Sequence, residues 1–182
     1  MRHIVGIDEV GRGCLAGPVL VAALILPRNM RLHRKNMPKL RDSKKLSAIQ
    51  RHKWFQFLRN HPKILFATAR VLPRSIDKIN ITRAANRAAT RAFVRLITNN
   101  PSAGFGVNQS PITKARVYLD GGLHLQEIST NQLPYQHKSV PRTLVRGDEK
   151  INAIKLASIV AKVTRDKYMV KLHKKHPQYG FD

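Results

Sequence analysis

Residues 4–13 have the sequence IVGIDEVGRG, in which a short apolar run leads into two adjacent carboxylates and a glycine-arginine-glycine turn. The run over 3–8 predicts a strand that ends at the acidic pair. The chain has only 10 acidic residues against 34 Lys and Arg, so Asp8 and Glu9 are unusual neighbours. A chain that attracts polyanions has reason to keep carboxylates away from its ligand unless they hold a cation. We therefore predict a nucleic-acid-binding protein that keeps a few carboxylates for metal.

The bulk composition predicts one domain over residues 1–182. This length suffices to bury a single core, and the hydrophobic content of 42% is that of a globular chain. No apolar run approaches the roughly 20 residues that a membrane helix requires, and the N-terminus shows no secretory cleavage pattern. The single cysteine, Cys14, excludes an internal disulfide and fits a reducing compartment. We therefore expect a cytoplasmic monomer that does not engage a membrane.

The second informative property of the sequence is its formal net charge of +24. A field of this sign attracts phosphates and speeds encounter with them. It does not by itself choose between DNA, RNA and an anionic membrane, and most of the basic side chains are expected to form a solvated surface. The charge therefore favours nucleic-acid binding without indicating an activity.

Four further segments have the pattern of strands. The run over 17–26 is continuously apolar with β-branched residues, which predicts a buried strand. Strands are also predicted over 63–71, over 115–120 and, more briefly, over 143–145. The remaining long segments are predicted to be loops: 27–45, 99–114 and 123–142.

Three segments have the pattern of helices. Ser47 is expected to cap a helix that runs through about Arg59 and is broken by Pro62. Alanines at helical spacing predict a second helix over 81–97, and a third is predicted from about 151 to 175. Early strands followed by alternating strands and helices indicate an α/β domain with a mixed central sheet flanked by helices.

Four acids are predicted to meet at one edge of this sheet. Asp8 and Asp120 end strands, Glu9 adjoins Asp8, and Asp148 lies just before the last helix. Strand ends and helix starts converge on a shared crevice in an open α/β sheet. Carboxylates are ligands of Mg²⁺, and two such ions about 3.5–4 Å apart support phosphodiester hydrolysis. Because side chains alternate along a strand, Glu9 can join Asp8 only if the chain bends after Asp8.

Each of these acids also has a simpler interpretation. Asp148 can cap a helix, Asp120 before two glycines can form a turn, and Glu9 can be a surface charge. The joint pattern, rather than any one residue, favours a metal site.

Asp166 is excluded from this group by distance. At about 1.5 Å rise per residue it lies roughly 27 Å beyond Asp148 along one helix. We expect it to pair locally with Lys162, Arg165 or Lys167.

The segment Gly11-Arg12-Gly13 directly follows the acidic pair. Glycines let backbone N–H groups approach a phosphate or sugar closely, and an arginine can hold a phosphate through two hydrogen bonds. Taken alone, such a tripeptide is more typical of a turn. Beside the acids it becomes a candidate grip on the substrate strand.

Residues 6–19, GIDEVGRGCLAGPV, resemble the signature of the ribonuclease HII family, the type 2 ribonucleases H. Later segments resemble further motifs of this family, in the family's order: DSKKLS at 42–47, INI at 79–81, YLDG at 118–121, GD at 147–148 and ASIVAKVTRD at 157–166. The set covers nearly the whole chain and is far more specific than any one segment.

The resemblance implies a ribonuclease H-like fold and endonucleolytic hydrolysis of RNA in RNA/DNA hybrids. It also implies incision 5′ to single ribonucleotides in duplex DNA, which leaves 3′-hydroxyl and 5′-phosphate ends. Two Mg²⁺ or Mn²⁺ ions would be held by the acids at four positions: Asp8, Glu9, Asp120 and Asp148. The implied substrate-binding residues are Gly11, Arg12, Gly13, Lys44, Lys45 and Asn80.

The chain departs from the family pattern at its end. It stops at Asp182, whereas the family continues into a segment whose tyrosine packs on the deoxyribose at the RNA–DNA junction. We therefore expect a domain that is short at its C-terminus, and an inactive relative stays open as an alternative. A noncatalytic basic nucleic-acid-binding protein would explain the charge but not the acids at strand ends. Another nuclease or recombinase on the same fold would also use clustered acids.

Overall fold

A computed structural model describes four stretches of the chain: 3–33, 35–98, 115–126 and 141–181. At its centre is a five-stranded sheet built from β1 (His3–Val10), β2 (Val19–Pro27), β3 (Leu65–Val71), β4 (Ala115–Asp120) and β5 (Arg142–Leu144). The spatial order is β3-β2-β1-β4-β5. The first three strands pair antiparallel, whereas β1, β4 and β5 run parallel. This mixed sheet confirms the predicted α/β architecture.

In the described part of the chain, five helices flank the sheet: α1 (Ala48–Asn60), α2 (Pro73–Ile79), α3 (Ile81–Thr98), α4 (Gly147–Lys150) and α5 (Asn152–Lys175). The predicted cap of α1 is confirmed, because the Ser47 hydroxyl accepts from the Gln50 N–H while the Gln50 side chain accepts from the Ser47 N–H. The sequence did not predict α2, whose first residue is Pro73. Proline is tolerated there because the first turn of a helix leaves its N–H groups unpaired.

The helices bury the two faces of the sheet differently. On one face lies α3, which packs through a buried row of small residues: Ala84, Ala85, Ala88, Ala89 and Ala92. On the other face α5 packs against the sheet, with Trp54 and Leu58 of α1 in the same apolar cluster. Residues of β2 contribute to both clusters, as expected for a strand buried on both sides. No helix in the described stretches is long and apolar enough to cross a membrane.

Gly6 fixes how closely α5 approaches β1. A Cβ atom at this position would lie 2.2 Å from the carbonyl carbon of Ala153 in the first turn of α5. Only a residue without a side chain therefore allows the helix to rest on the backbone of the strand. This contact holds α5 against the strand that carries the acidic pair.

The predicted end of β1 was wrong. The strand does not stop at Asp8, because Glu9 still pairs with Val21 and Val10 with Leu20 in the antiparallel ladder to β2. The sequence pattern could not show this, since the partner strand decides where a ladder ends. The predicted loop over 99–114 and most of the one over 123–142 lie outside the described residues.

Candidate active site and metal centre

The parallel pairing of β1 and β4 brings two acids side by side. Ile7 pairs with Leu119, and the next residues on the two strands are Asp8 and Asp120. Ligand oxygens of Asp8, Glu9 and Asp120 all lie within 4.8 Å of one another. Three carboxylates from two adjacent strands therefore share one small volume at the carboxyl end of these strands.

Glu9 joins this cluster from within a strand that stays paired to β2 through Val10. The ladder to β4 ends at Ile7, while the ladder to β2 continues past Glu9. At the open end of the sheet, side chains from both faces of β1 can therefore reach the same space. The bend that was predicted after Asp8 stays a prediction, since the pairing extends through Val10 and by itself shows no break there.

Asp8 is buried, with 4% of its surface exposed. Its carboxylate accepts from the Glu9 N–H (2.8 Å) and from the Ser158 hydroxyl. The Ser43 hydroxyl lies 2.7 Å from that of Ser158 and supports it from the 3₁₀ turn at 43–45. Burial raises the pKa of Asp8 well above its ordinary value, and the nearby charges of Glu9 and Asp120 raise it further.

Glu9 has the environment that best suits a bound cation. Burial raises its pKa, and the Arg12 guanidinium, with Nη1 3.3 Å from Glu9 Oε1, acts against that rise. The other oxygen, Oε2, is buried and has no hydrogen-bond partner among the described residues. A buried carboxylate oxygen with no donor costs free energy unless a cation binds it. The donor set is all oxygen, which suits hard divalent ions.

Asp120 links the cluster to α4. Its Oδ1 accepts from the Gly147 N–H (2.7 Å) and, more weakly, from the Asp148 N–H (3.4 Å). A Cβ on Gly147 would lie 3.2 Å from that oxygen and 2.6 Å from the Ile154 side chain, so glycine permits the approach. Asp120 thus does more than form the simple turn that was its alternative interpretation.

Asp148 lies beside the three-acid cluster rather than within it. It stands inside the single turn of α4, two residues after the N-cap residue Arg146. Burial raises its pKa, and the charges of Asp120 and Asp42 raise it further. Asp148 is therefore close enough to Asp120 for their charges to interact, although it is not one of the three acids that share the cluster.

The glycine-arginine-glycine segment adjoins these acids. Arg12 bridges from Glu9 to the Gly122 carbonyl, to which its Nη2 donates at 3.2 Å. Gly11 has a positive φ of 94°, and a Cβ there would lie 2.6 Å from the Pro18 carbonyl oxygen. Gly13 differs, because a Cβ there would meet nothing within 4 Å in the described part of the protein. The fold explains the glycine at 11 but not the one at 13.

The remaining predicted substrate-binding residues are exposed and are held in different ways. Lys44 and Lys45 belong to the 3₁₀ turn, which the Arg51 side chain braces through the Ser43 and Leu46 carbonyls. Burial is the main cause of the raised pKa of both Glu9 and Asp148, and the charge of Lys44 acts against it in both. Lys44 therefore lies near the acids. No such link is found for Lys45 in the described stretches.

Asn80 has a structural task of its own. It adopts a positive φ of 64° between α2 and α3, and its Oδ1 accepts from the Arg83 N–H at 3.0 Å. The side chain thus caps α3, a role that the sequence interpretation did not include. Its amide NH₂ donors are left for other partners, since Oδ1 makes the capping bond.

The comparison with known proteins settles the family. The ribonuclease HII family model matches residues 5–182. The chain belongs to the ribonuclease HII family. Ribonuclease HII of Pelodictyon phaeoclathratiforme is 37% identical over 179 residues, which cover 98% of this chain and 75% of that relative. The resemblance read from the motifs is confirmed, and membership supports an endoribonuclease that acts on RNA/DNA hybrids.

Solved structures confirm the ribonuclease H-like fold. Ribonuclease H2 from Pyrococcus horikoshii OT3 superposes with a TM-score of 0.64 at 24% identity, covering 98% of this chain and 79% of that one. Bst-RNase HIII, solved in complex with Mn²⁺, superposes with a TM-score of 0.62 at 16% identity, covering 95% of this chain and 55% of that one. At these identities the likeness establishes the fold of this ribonuclease HII family member.

Arg165 is the residue of this site that sequence reasoning missed. It was expected to pair with Asp166, but it is buried and donates from Nε to the Pro18 carbonyl (3.1 Å) and from Nη2 to the Ala16 carbonyl (2.7 Å). Asp166 instead pairs with Lys162 at 2.8 Å, as predicted, and lies 3.9 Å from Arg51. A signal was available in α5, since Arg165 follows buried Ala161 at a four-residue spacing.

Proposed function

We propose that this chain hydrolyses RNA internally in RNA/DNA hybrids and also nicks duplex DNA on the 5′ side of a single embedded ribonucleotide. The products would carry 3′-hydroxyl and 5′-phosphate ends. The observation that carries the proposal is the convergence of Asp8, Glu9 and Asp120 within 4.8 Å directly beside the segment Gly11-Arg12-Gly13. A carboxylate cluster with positive side chains at its rim suits a phosphodiester and a divalent cation together.

The proposed metal ligands are Asp8, Glu9, Asp120 and Asp148, and the proposed ions are two Mg²⁺ or Mn²⁺. The unpartnered Oε2 of Glu9 and the raised pKa values of Asp8, Glu9 and Asp148 fit cation binding, because a cation favours the charged carboxylates that burial disfavours. When bound, such ions supply an activated water and offset charge on the departing oxygen.

The chain's own residues are proposed to bind and orient the duplex around these acids. Arg12 stands at the rim of the cluster, where one guanidinium can face both Glu9 and a phosphate. Gly13 exposes its backbone in the same loop, and Gly11, which is half-buried, is also proposed to contact the substrate. Lys44 adds a positive charge beside the acids. Lys45 and Asn80 are proposed to contact the substrate backbone further out.

The choice of ribonucleotide over deoxyribonucleotide is proposed to lie at the exposed backbone of the loop. Contacts to the ribose 2′-hydroxyl distinguish RNA from DNA. The open space around Gly13 leaves room for a sugar to approach the main chain closely. This is where an embedded ribonucleotide would be recognised.

A duplex DNA with one ribonucleotide tests the proposal. With Mg²⁺ or Mn²⁺ we expect a single nick 5′ to the ribonucleotide, and with EDTA we expect none. Asp120→Asn should lower the nicking rate at least about a hundredfold while leaving duplex binding in place, since removing one preorganised electrostatic group costs about 10²–10³ in rate. The matched control is Asp77→Asn, an exposed acid on α2.

The same assay separates the rival functions. A noncatalytic binder would retain the duplex uncut under every metal condition, and so would an inactive relative. Another nuclease on this fold would cut without regard to the ribonucleotide. Wild-type nicking by Asp120→Asn would contradict the assignment of the acids even if the activity itself were confirmed.

A further inference from the structure

A second basic feature lies at the β3 edge of the sheet, apart from the acidic cluster. A cleft of about 460 Å³ there is lined by four arginines: Arg70, Arg87, Arg91 and Arg95. The last three follow one another at four-residue spacing on α3, which places them in a row on one face of the helix. All four side chains are exposed. We call this feature the arginine cleft.

The positive charge of the arginine cleft is not compensated by carboxylates of the described residues. The ion pairs among the described residues lie outside the cleft. They join Arg12 to Glu9, and Arg51 and Lys162 to Asp166. Like charges at four-residue spacing on a helix destabilise it. A row of three arginines without acidic partners is therefore the arrangement expected of a surface that meets an anion.

Two of the four arginines are held in place and two are left to bind. Arg95 donates to the Thr68 carbonyl at 2.8 Å, and the guanidinium of Arg70 lies 5.0 Å from the centre of the Tyr168 ring. Within the described stretches no hydrogen bond involves the side chains of Arg87 or Arg91. Their donors line the cleft and are available to a ligand.

The arginine cleft lies at the same end of the sheet as the acids. Val71 at the carboxyl end of β3 pairs with Val19, and Leu20, which lines the cleft, pairs with Val10 at the carboxyl end of β1. Thr164 also lines the cleft and directly precedes Arg165, which holds the loop over 11–18. The acids, the loop over 11–18 and the arginine cleft thus follow one another along one end of the sheet. Because β2 lies between β1 and β3, and neighbouring strands are about 4.8 Å apart, β3 lies about 10 Å from β1.

We propose that the arginine cleft binds the phosphate backbone of the substrate duplex a few base pairs away from the bond that is cut. The inference rests on the proposed function, because it extends the same duplex from the acids across the loop to β3. A strand of duplex rises about 3.4 Å per base pair, so about 10 Å corresponds to roughly three base pairs. Arginines suit this task because the planar guanidinium matches a phosphate and reads no sequence.

Binding of a fluorescein-labelled RNA/DNA hybrid, measured by anisotropy in EDTA over a series of KCl concentrations, tests the proposal. The variant is Arg87→Ala with Arg91→Ala. Each lost phosphate contact lowers the slope of log Kd against log salt by about 1, so we expect a decrease of about 2 and a Kd roughly tenfold higher at moderate salt. Alanine favours helix, so α3 should stay folded, which a melting curve checks. Arg87→Gln with Arg91→Gln is the second variant.

The matched control removes two positive charges at the opposite end of the sheet. Arg59 in the last turn of α1 and Lys63 just before β3 are both exposed, and β3 begins opposite Ile25, far from the acids. Arg59→Ala with Lys63→Ala should leave the salt slope unchanged. Equal weakening in both double variants would show a general effect of net charge and would overturn the proposal.

A flank series locates the contact. Shortening the hybrid on one side of the scissile position should weaken binding of the wild-type chain, whereas the Arg87/Arg91 variant should no longer respond to that flank. An unchanged slope in this variant would overturn the proposal. So would self-association of the variant with unaltered hybrid binding, because the arginines would then only protect the edge strand β3 from pairing with another chain.

Failure of this inference is distinguishable from failure of the proposed function. Binding in EDTA does not depend on cleavage. A chain that never cuts but shows the arginine-specific slope would refute the proposed function alone. A chain that nicks at the ribonucleotide but lacks that slope would refute the arginine cleft alone.

Discussion

At the scale of single residues, different constraints act on the two glycines of the segment Gly11-Arg12-Gly13. Gly11 is required by the fold, since its φ is 94° and a Cβ would lie 2.6 Å from both the Arg165 Nε and the Pro18 oxygen. Gly13 has open space around it. If contact with the substrate explains Gly13, an alanine at 13 should reduce activity without reducing stability, whereas an alanine at 11 should reduce stability.

Gly13→Ala should therefore leave the melting temperature unchanged within about 1 °C but lower kcat/KM for the one-ribonucleotide duplex about tenfold or more. Gly11→Ala should lower the melting temperature, because strain at a positive φ costs of order 1–3 kcal/mol and each kcal/mol shifts Tm by about 2–4 °C at this size. Thermal melts and initial rates measure both. Full activity in Gly13→Ala would remove the case for a close substrate approach at that residue.

The acidic cluster also shows what residue patterns predict and what they miss. Asp8 and Asp120 were expected to meet because strand ends converge, and the parallel register of β1 and β4 does bring them together. The two serines that support Asp8 were not expected, because Ser43 and Ser158 are 115 residues apart and contact only in the folded chain. Hydrogen-bond partners chosen by tertiary packing leave no local trace in sequence.

At the scale of elements, α5 serves the site through its first turn and through its middle. Its first turn packs on the backbone of β1 at Gly6, and Arg165, more than three turns later, holds the loop over 11–18 through two carbonyls. The helix thereby fixes the position of the loop relative to the acids. Arg165 is a positioning residue in this arrangement, since it contacts the loop and not the acids.

Arg165→Lys keeps the charge but removes the forked guanidinium that binds the Ala16 and Pro18 carbonyls together. Because a charge-assisted hydrogen bond contributes about 1.5–3 kcal/mol, we expect kcat/KM to fall about 10–100-fold, chiefly through KM. The control is Lys167→Ala, because the Nζ of Lys167 lies 4.6 Å from the Phe55 ring centre. The loop carbonyls are bound by Arg165 instead. A wild-type KM in folded Arg165→Lys, or equal losses in both variants, would contradict the positioning role.

Element boundaries were predicted less well than element types. The strands and the three long helices were found where apolar periodicity placed them. The end of β1 was wrong because pairing with β2 extends the strand to Val10, and α2 was missed because Pro73 begins a helix as readily as it ends one. The boundary of β1 is decided by a partner strand elsewhere in the chain, whereas α2 was missed through the local ambiguity of a proline.

At the scale of the whole molecule, the buried acids couple stability to pH and to cations. Burial raises the pKa of Asp8, Glu9 and Asp148, so the folded state favours their protonated forms. The stability that this provides is complete below the ordinary carboxyl pKa and is lost as pH rises through the raised values. Without metal, the charged acids therefore destabilise the folded chain at neutral pH.

Asp8→Asn should consequently melt several degrees above the wild-type chain in EDTA at pH 7, since each kcal/mol is worth about 2–4 °C. The difference should vanish near pH 3, where the wild-type carboxyl is protonated in both states. Mg²⁺ should raise the wild-type Tm but not that of Asp8→Asn. A difference in Tm that does not change with pH, or an equal change in Tm for Asp77→Asn, would contradict this explanation.

The contact between Gly6 and Ala153 bears on how the molecule moves. To expose the amides of Asp8 and Glu9, the central strand must part from both β2 and the long helix, which is among the most cooperative openings available to this fold. The loop over 11–18, by contrast, is held by side-chain contacts, which are the two hydrogen bonds of Arg165 and the contacts of Arg12 with Glu9 and the Gly122 carbonyl, and it can shift at smaller cost. We therefore expect the acidic end of the sheet to be stiffer than the loop that is proposed to contact the substrate, so that the loop can adapt to a duplex without disturbing the carboxylates.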